Sequence, residues 1–377
     1  MVIPIVLFKL HFKIIYFFLK FLKTDNNKIV LLSRQSDKKS IDFELIENDI
    51  KNRFPNIKLV ILTKTLNKNN FIKYYFHMYK QMYHLATSKV CLIDTYIIPV
   101  SILKHKKSLV IMQLCHGIGN LKKFGYQTLK NESGKNEKLS KLMNMHANYD
   151  YLISTSKETS KFYSKAFKLP LNKIVEVGNP KIDYILSIPK MKKEVLKKYP
   201  NLKDKPVIFY VSTFRTYEDN YLENFIKAFP FDKYNLIINI HPVTYKYHPK
   251  IDDTINDDRI YRCREFTTQE LLSVSDICVT DYSSFIFESA ILEKDTYLYV
   301  PDYDKYIKNN GLNVDIFKEL PGCVYKDAKS LFKKIGKNNY EKEIIKNFKD
   351  KYVINCDGNA TKKLVDFIIS SGINNKN

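Results

Sequence analysis

The chain has 377 residues, of which 45% are hydrophobic, with 27 Tyr, 24 Phe and only 10 Gly. At about 150 residues per domain this length suits two or three domains, and the composition excludes a disulfide mini-scaffold, an intrinsically disordered chain and a collagen-like polymer. Its 62 Lys+Arg against 40 Asp+Glu leave a formal net charge of +22, which favours anionic partners and by itself admits nucleic acid, acidic lipid and phosphorylated substrates.

Residues 2–22, VIPIVLFKLHFKIIYFFLKFL, are strongly apolar but interrupted by Lys9, His11, Lys13 and Lys20. No uninterrupted apolar run reaches the roughly 18–20 residues that span a bilayer, and a signal peptide would not interleave its charges or end in bulky residues. On a helix Lys9, Lys13 and Lys20 fall near one face, against Leu7, Leu10, Ile14, Phe17, Phe18 and Phe21. Residues 1–24 are therefore expected to form a basic amphipathic segment on an anionic membrane surface, an ordinary core-packing first helix being the alternative.

From residue 28 short apolar runs alternate with polar helical stretches. They are KIVLLS (28–33), IKLVILT (57–63), KVCLIDT (89–95), SLVIMQLCH (108–116), YDYLIST (149–155) and KIVEVG (173–178). After a Lys-rich, Pro-containing stretch at 187–206 the pattern restarts with PVIFYVST (206–213), YNLIINIHP (234–242), DRIYRC (258–263), DICVTD (276–281) and TYLYVP (296–301). Runs of four to eight residues rich in Val, Ile and Leu are what buried parallel strands look like. The reading is α/β: two doubly wound Rossmann-like domains facing a cleft, residues 25–190 and 205–377, with ligands at the carboxyl ends of the strands. Neither GxGxxG nor a P-loop occurs, so dinucleotide oxidoreductases and P-loop nucleotidases have no support. The six cysteines show no CxxC pair and no zinc-ligand spacing, as expected of reduced cysteines in a cytoplasmic protein.

Unusual polar groups cluster at the strand ends. His116 opens HGIGNLKKFGY, in which Gly117, Gly119 and Gly125 permit close backbone approach and Lys122 and Lys123 supply charge; the histidine is either a general base or a helix cap. Thr213 ends the seventh run and Arg215 follows it, and Arg suits bidentate contact with a phosphate. His241 ends the eighth run, ahead of Pro242. In DICVTDYSSFIFESAILE a strand ends at Thr280-Asp281 and a helix starts near Ser283-Ser284, where free N–H groups and two hydroxyls suit a phosphate. Glu288, one turn on, suits ribose hydroxyls. Together these groups describe a cleft for a doubly phosphorylated ligand.

The motifs resemble those of the CDP-glycerol glycerophosphotransferase family, teichoic-acid and capsule polymer enzymes with a GT-B-like fold. HGIGNLKKFG resembles the family's first histidine motif, GNPKID (178–183) its GxPRxD and STFR (212–215) its PTWR. INIHP (238–242) and VTDYSSFIFE (279–288) are similar to its HP and TDYSS elements, and VPDYDKY (300–306), ELPG (319–322) and DGNATKK (357–363) complete the series. Lys181, Phe214, Glu288 and Lys363 depart from the family pattern.

The resemblance implies an enzyme in which an acceptor hydroxyl attacks the glycerol-bearing phosphorus of CDP-glycerol and CMP leaves. It implies His116 as base and His241 as acid. Arg215, Thr213, Thr280, Asp281, Ser283, Ser284 and Glu288 would hold the donor in a C-terminal donor-binding domain. Gly117, Lys122, Lys123 and Asn179 would belong to an acceptor-side N-terminal domain. No cofactor and no metal are expected. The acceptor implied is a lipid-linked saccharide at the inner face of the membrane, which makes the enzyme cytoplasmic and peripheral. A donor such as CDP-ribitol on the same scaffold is the competing reading. A nucleic-acid-binding protein is disfavoured, because no recognition helix, zinc module or RNA-binding signature is present.

Overall fold

The structure, a computed structural model, describes residues 2–67, 70–115, 117–129, 136–215, 217, 220–241 and 243–374. They form two compact units, the first comprising Met1–Ile118, Phe124–Asp183 and Ile354–Asn377, the second Gly119–Lys123 and Tyr184–Val353.

The first unit is built on β1 (Asp25–Ser33), β2 (Lys58–Thr63), β3 (Ser88–Ile93), β4 (Val110–Gln113), β5 (Tyr151–Ser154) and β6 (Ile174–Glu176). They pair in the order β2-β1-β3-β4-β5-β6, all parallel. Alternation along β1 divides the core in two. Val30 and Leu32 pack with α1 (Val2–Leu19) and α3 (Phe71–Thr87) on one face. Ile29 and Leu31 pack with α2 (Ile41–Arg53) and the helix Ala360–Ile368 on the other.

That last helix is held in the first unit by residues of the GNPKID and DGNATKK motifs. Asp183 accepts hydrogen bonds from the backbone N–H groups of Ala360 (3.0 Å) and Thr361 (2.8 Å), so its carboxylate caps the helix. Lys363 donates to Asn355 Oδ1 (2.7 Å) and Asp357 Oδ2 (2.8 Å), fixing the turn that leads into it. Gly178, at φ +88°, lies where a Cβ would meet Ala360 Cβ at 3.2 Å.

The second unit contains β7 (Val207–Val211), β8 (Asn235–Asn239), β9 (Ile260–Tyr261), β10 (Ile277–Thr280), β11 (Asp295–Tyr299) and β12 (Val324–Tyr325). Their order is β12-β11-β10-β7-β8-β9, again all parallel.

All eleven apolar runs become strands; β12 has two residues, too few to show a pattern. The run 108–116 yields only the four residues of β4, which ends at Gln113, short of position 116. The two compact units divide the chain elsewhere than at the expected boundaries of 190, 205 and 377. The chain passes between units at Asp183 and again at Val353, because the Asp183 cap draws the C-terminal helix onto the first sheet.

The first helix packs in the core and exposes apolar surface as well. Phe12 and Tyr16 are buried, and the Tyr16 hydroxyl bonds His105 Nδ1 at 2.8 Å. Leu7, Leu10, Ile14, Phe17, Phe18 and Phe21 remain exposed. Among the described residues no helix is long and apolar enough to cross a membrane.

Candidate active site

Strand register sets the geometry of the second unit. Val211 pairs with Thr280 on one side and Asn239 on the other, and Thr280 pairs with Leu298, so four chains leave the sheet at one level. Their next residues, Ser212-Thr213, Ile240-His241, Asp281 and Val300 to Asp302, therefore converge at the carboxyl ends of β7, β8, β10 and β11.

At the centre is a buried ion network. Arg215 Nε and Nη2 donate to Asp302 Oδ2 (2.7 Å) and Oδ1 (3.0 Å) as a bidentate fork. Arg215 Nη1 donates to Asp281 Oδ2 (2.9 Å) and to the Thr213 carbonyl (3.1 Å). Asp281 in turn accepts from the Thr213 N–H, at 3.0 Å to each oxygen. Tyr217 and Tyr282 donate their hydroxyls to Asp302, the latter at 3.0 Å, and Tyr282 stacks on Tyr306 with centroids 3.7 Å apart. Both carboxylates are fully sheltered from solvent and Arg215 is nearly so. Burial would raise the Asp302 pKa, but the Arg215 hydrogen bonds and charge and the two tyrosine hydroxyls outweigh it and hold the carboxyl below its ordinary value. Burial likewise opposes the charge on Arg215, yet Asp281 and Asp302 raise its pKa on balance. Four of the five guanidinium N–H groups are thus spent inside the protein. The side chain from which a phosphate contact was expected is therefore engaged mainly by groups of the protein itself.

The glycine loop supplies the remaining positive charge. Lys122 lies in the second unit, whereas the sequence reading grouped it with the N-terminal domain, and its Nζ donates to Thr213 Oγ1 at 3.3 Å. The backbone explains the placement. Lys123 N donates to the Gly311 carbonyl (3.1 Å), Asn313 N to the Leu121 carbonyl (2.8 Å) and Asn313 Nδ2 to the Lys122 carbonyl (2.9 Å). Gly119 passes so close to Phe287 that a Cβ would stand 2.7 Å from its ring. Burial pulls the Lys122 amine down to about 8, Asp281 opposing and Arg215 adding to the shift. The Lys123 side chain is exposed and lies along Gly311.

His241 is accessible to solvent, and its Nδ1 accepts from the Val243 N–H at 3.2 Å, which places the proton of the neutral ring on Nε2. Partial burial and the Lys122 charge lower its pKa, with Asp281 opposing, so the ring is neutral at pH 7. His241 therefore presents an N–H donor. Its ring leans on Phe214, centroids 5.1 Å apart.

The remaining expected site residues divide. Ser283 Oγ accepts from Phe285 N (3.3 Å) at the start of the helix Phe285–Ile291, and Ser284 is exposed there with no side-chain cap bond. Glu288 accepts from Gln269 Nε2 (2.9 Å). Thr280, expected at the donor phosphates, is fully buried and donates its hydroxyl to the Val211 carbonyl (2.7 Å). Gly117 and Asn179 belong to the first unit. The Gly117 carbonyl accepts from the Tyr163 hydroxyl (3.3 Å), and Asn179 Oδ1 accepts from Lys181 N (2.9 Å). His116 and Pro242 lie outside the described residues. Asp302, Tyr217 and Tyr282 were not singled out as site residues, although Asp302 stands in the VPDYDKY motif.

Two cavities flank the end of β8 within the second unit, and Ile240 lines both. One, of about 400 Å³, is lined by Asn239, Tyr245, Arg262, Arg264 and Phe266, with Arg264 paired to Asp252 at 2.7 Å. The other, of about 80 Å³, adjoins Ser212, Thr213, Arg215, Thr244 and His248.

This arrangement can be set beside known proteins. The chain is 29% identical over 367 residues to the teichoic acid ribitol-phosphate primase of Bacillus spizizenii, covering 93% of this chain and 92% of that one. It is 28% identical over 377 residues to the teichoic acid glycerol-phosphate primase of Bacillus subtilis, covering 94% of each. A solved structure of the wall teichoic acid polymerase TagF superposes with a TM-score of 0.71 over 93% of this chain and 90% of that chain, at 21% identity, which makes the fold GT-B-like. The family model of CDP-glycerol:poly(glycerophosphate) glycerophosphotransferases matches residues 14–370, and the chain belongs to that family.

Proposed function

We propose that the protein transfers a polyol phosphate, glycerol phosphate in the first instance, from its CDP-activated form to a hydroxyl of a lipid-linked saccharide in teichoic acid or capsule synthesis. The observation that carries this reading is that Lys122 and Thr213 are hydrogen-bonded, with His241 within electrostatic reach of Lys122, beside an Arg215–Asp281–Asp302 network whose charges are paired within the protein. The acceptor oxygen attacks the phosphorus that bears the polyol. The bond from that phosphorus to the bridging oxygen breaks, and the oxygen leaves with the electron pair as part of CMP. The hydroxyl proton goes to a base, the role proposed for His116 on its motif alone. His241, neutral and protonated on Nε2, donates a hydrogen bond to the departing phosphate. The short helix start at Ser283-Ser284 adds donors for the phosphates, and Glu288 suits the ribose. The cavity of about 400 Å³ at the end of β8 has the size and the aromatic and polar lining of a nucleoside site.

The acceptor side of the proposal rests on the surface of the first unit. Neither α1 nor α3 contains an acidic residue. Phe71, Ile72 and Phe76 on α3 are exposed like the apolar residues of α1, and Lys13, Lys73 and Lys80 are exposed among them. The two helices meet through Phe12 and Tyr79, centroids 5.3 Å apart. This face suits an anionic membrane, with the protein peripheral on its inner side.

The test is CMP release by the purified protein on liposomes with a lipid-linked disaccharide, with CDP-glycerol, CDP-ribitol and UDP-sugars offered in parallel. CMP from CDP-glycerol establishes the donor. CMP from CDP-ribitol alone, the polyol that the 29% identity to a ribitol-phosphate primase brings into the comparison, replaces the polyol and retains the chemistry. UMP release would overturn the donor class.

A further inference from the structure

We infer that Lys122 is the cation that binds the phosphates of the donor, and that its protonation sets the upper pH limit of donor binding. The inference rests on the donor reading above and deepens it.

Among the described residues the network at the strand ends joins the cation Arg215 to the anions Asp281 and Asp302, and Lys122 adds a second cation beside it. Arg215 is consumed by both carboxylates. Among the described residues no carboxylate lies within ion-pair distance of Lys122, and its one hydrogen bond is to the Thr213 hydroxyl. Thr213 Oγ1 accepts that bond and its N–H is taken by Asp281, so its hydroxyl hydrogen is left to donate. The ammonium stands beside the Thr213 hydroxyl and close enough to His241 to act on it electrostatically, and all three groups have a hydrogen to donate, which is what an anion with several acceptor oxygens requires. The groups acting electrostatically on Lys122 are Asp281, Arg215 and His241. A half-buried lysine placed among these groups keeps its proton only while the pH is near or below 8.

Arg215 and Lys122 thus exchange the roles that their residue types suggest. The arginine, with its rigid fork, organises two loops by binding two carboxylates. The lysine, a compact point charge on a flexible stem, is left for the ligand. The close passage of Gly119 over Phe287 and the bonds from 121–123 to 311–313 hold the lysine in place from a loop that begins in the other unit.

The experiment is calorimetric titration of the wild type, Lys122→Arg and Lys122→Met with CDP-glycerol and CDP-ribitol from pH 6.5 to 9.5. Inorganic pyrophosphate at pH 7 is a second probe, and thermal unfolding of each variant is recorded alongside. The wild type should lose donor affinity at least tenfold as the pH rises through about 8. The sign follows from the charge: below that value the amine is an ammonium that attracts the donor, above it the attraction is lost. Tyr217 and Tyr282 are pushed well above this range and His241 below it, so they do not contribute a limb near 8. Lys122→Arg should stay flat to pH 9.5, because guanidinium does not titrate there. Lys122→Met should be weak at every pH while melting within a few degrees of the wild type. A wild-type affinity independent of pH from 7 to 9.5, or a Lys122→Met variant that binds donor and pyrophosphate like the wild type, would overturn the assignment. A wild type that binds pyrophosphate through Lys122 but neither CDP-polyol would overturn the donor reading and leave Lys122 as an anion-binding cation.

Discussion

The two units use motif carboxylates in contrasting ways. In the first, Asp183 meets the N–H groups of Ala360 and Thr361, and the result is a capped helix with little further chemistry. In the second, Asp281 also receives a backbone N–H, that of Thr213, but it shares Arg215 with Asp302 and stands next to Lys122. Both aspartates hold together segments far apart in sequence. Only the second does so where an unpaired cation and an exposed histidine are left over. A motif residue is therefore not necessarily one that touches substrate, and what distinguishes the site is the polar capacity that the scaffold leaves unused.

The largest effect should come from breaking the buried network. Arg215→Met leaves Asp281 and Asp302 sheltered and without their shared cation, at a cost of about 3–5 kcal/mol, which is a large part of the stability of an average domain. Thermal unfolding should show a drop of many degrees or a failure to fold. A variant that melted like the wild type and lost only donor affinity would return Arg215 to the role of phosphate clamp and erase the contrast between fixed and free cations.

Asp183→Ala makes the same kind of cut in the first unit. It removes both acceptors from the start of the helix Ala360–Ile368, and the loss of such a cap costs about 0.5–2 kcal/mol. The melting temperature should fall by a few degrees, with faster amide exchange along 360–368, while CDP-glycerol titrates as in the wild type. Lost donor affinity at an unchanged melting temperature would mean that this carboxylate is functional after all.

How much of this was legible in the sequence follows from the range over which each interaction acts. The parallel strands could be read because buried strands are continuous apolar runs, and their carboxyl ends could be read because polar residues follow at once. Thr213, His241, Asp281 and Ser283 were singled out in that way. The partners of Arg215 could not be, since its role depends on three segments, near 215, 281 and 302, brought side by side by strand register. Lys122 was grouped with the other unit for a related reason. It follows β4 in the chain, and nothing in HGIGNLKKFG says that its backbone bonds to Gly311 and Asn313. The N-terminal helix was legible in composition but not in orientation, since the residues it buries, Phe12 and Tyr16, look no different in the sequence from Phe17 and Phe18, which it exposes.

The smallest effect separates a hydroxyl bonded into the sheet from one proposed to meet the ligand. Thr280 and Thr213 both stand at strand ends and both were expected at the donor phosphates. Thr280 is fully buried and its hydroxyl bonds the Val211 carbonyl, whereas the Thr213 hydroxyl accepts from Lys122 and retains its hydrogen. Thr280→Val keeps the shape and removes one hydrogen bond, a cost of about 0.5–1.5 kcal/mol that thermal unfolding should resolve, with donor affinity unchanged. Thr213→Val should do the reverse: a melting temperature near that of the wild type, because Asp281 still holds the backbone N–H, and donor affinity reduced several-fold. If both variants lose donor affinity alike, the donor phosphates extend to the end of β10 and the division between the two hydroxyls fails. If both lose only stability, Thr213 belongs to the scaffold, and Lys122 and His241 remain as the groups that meet the donor.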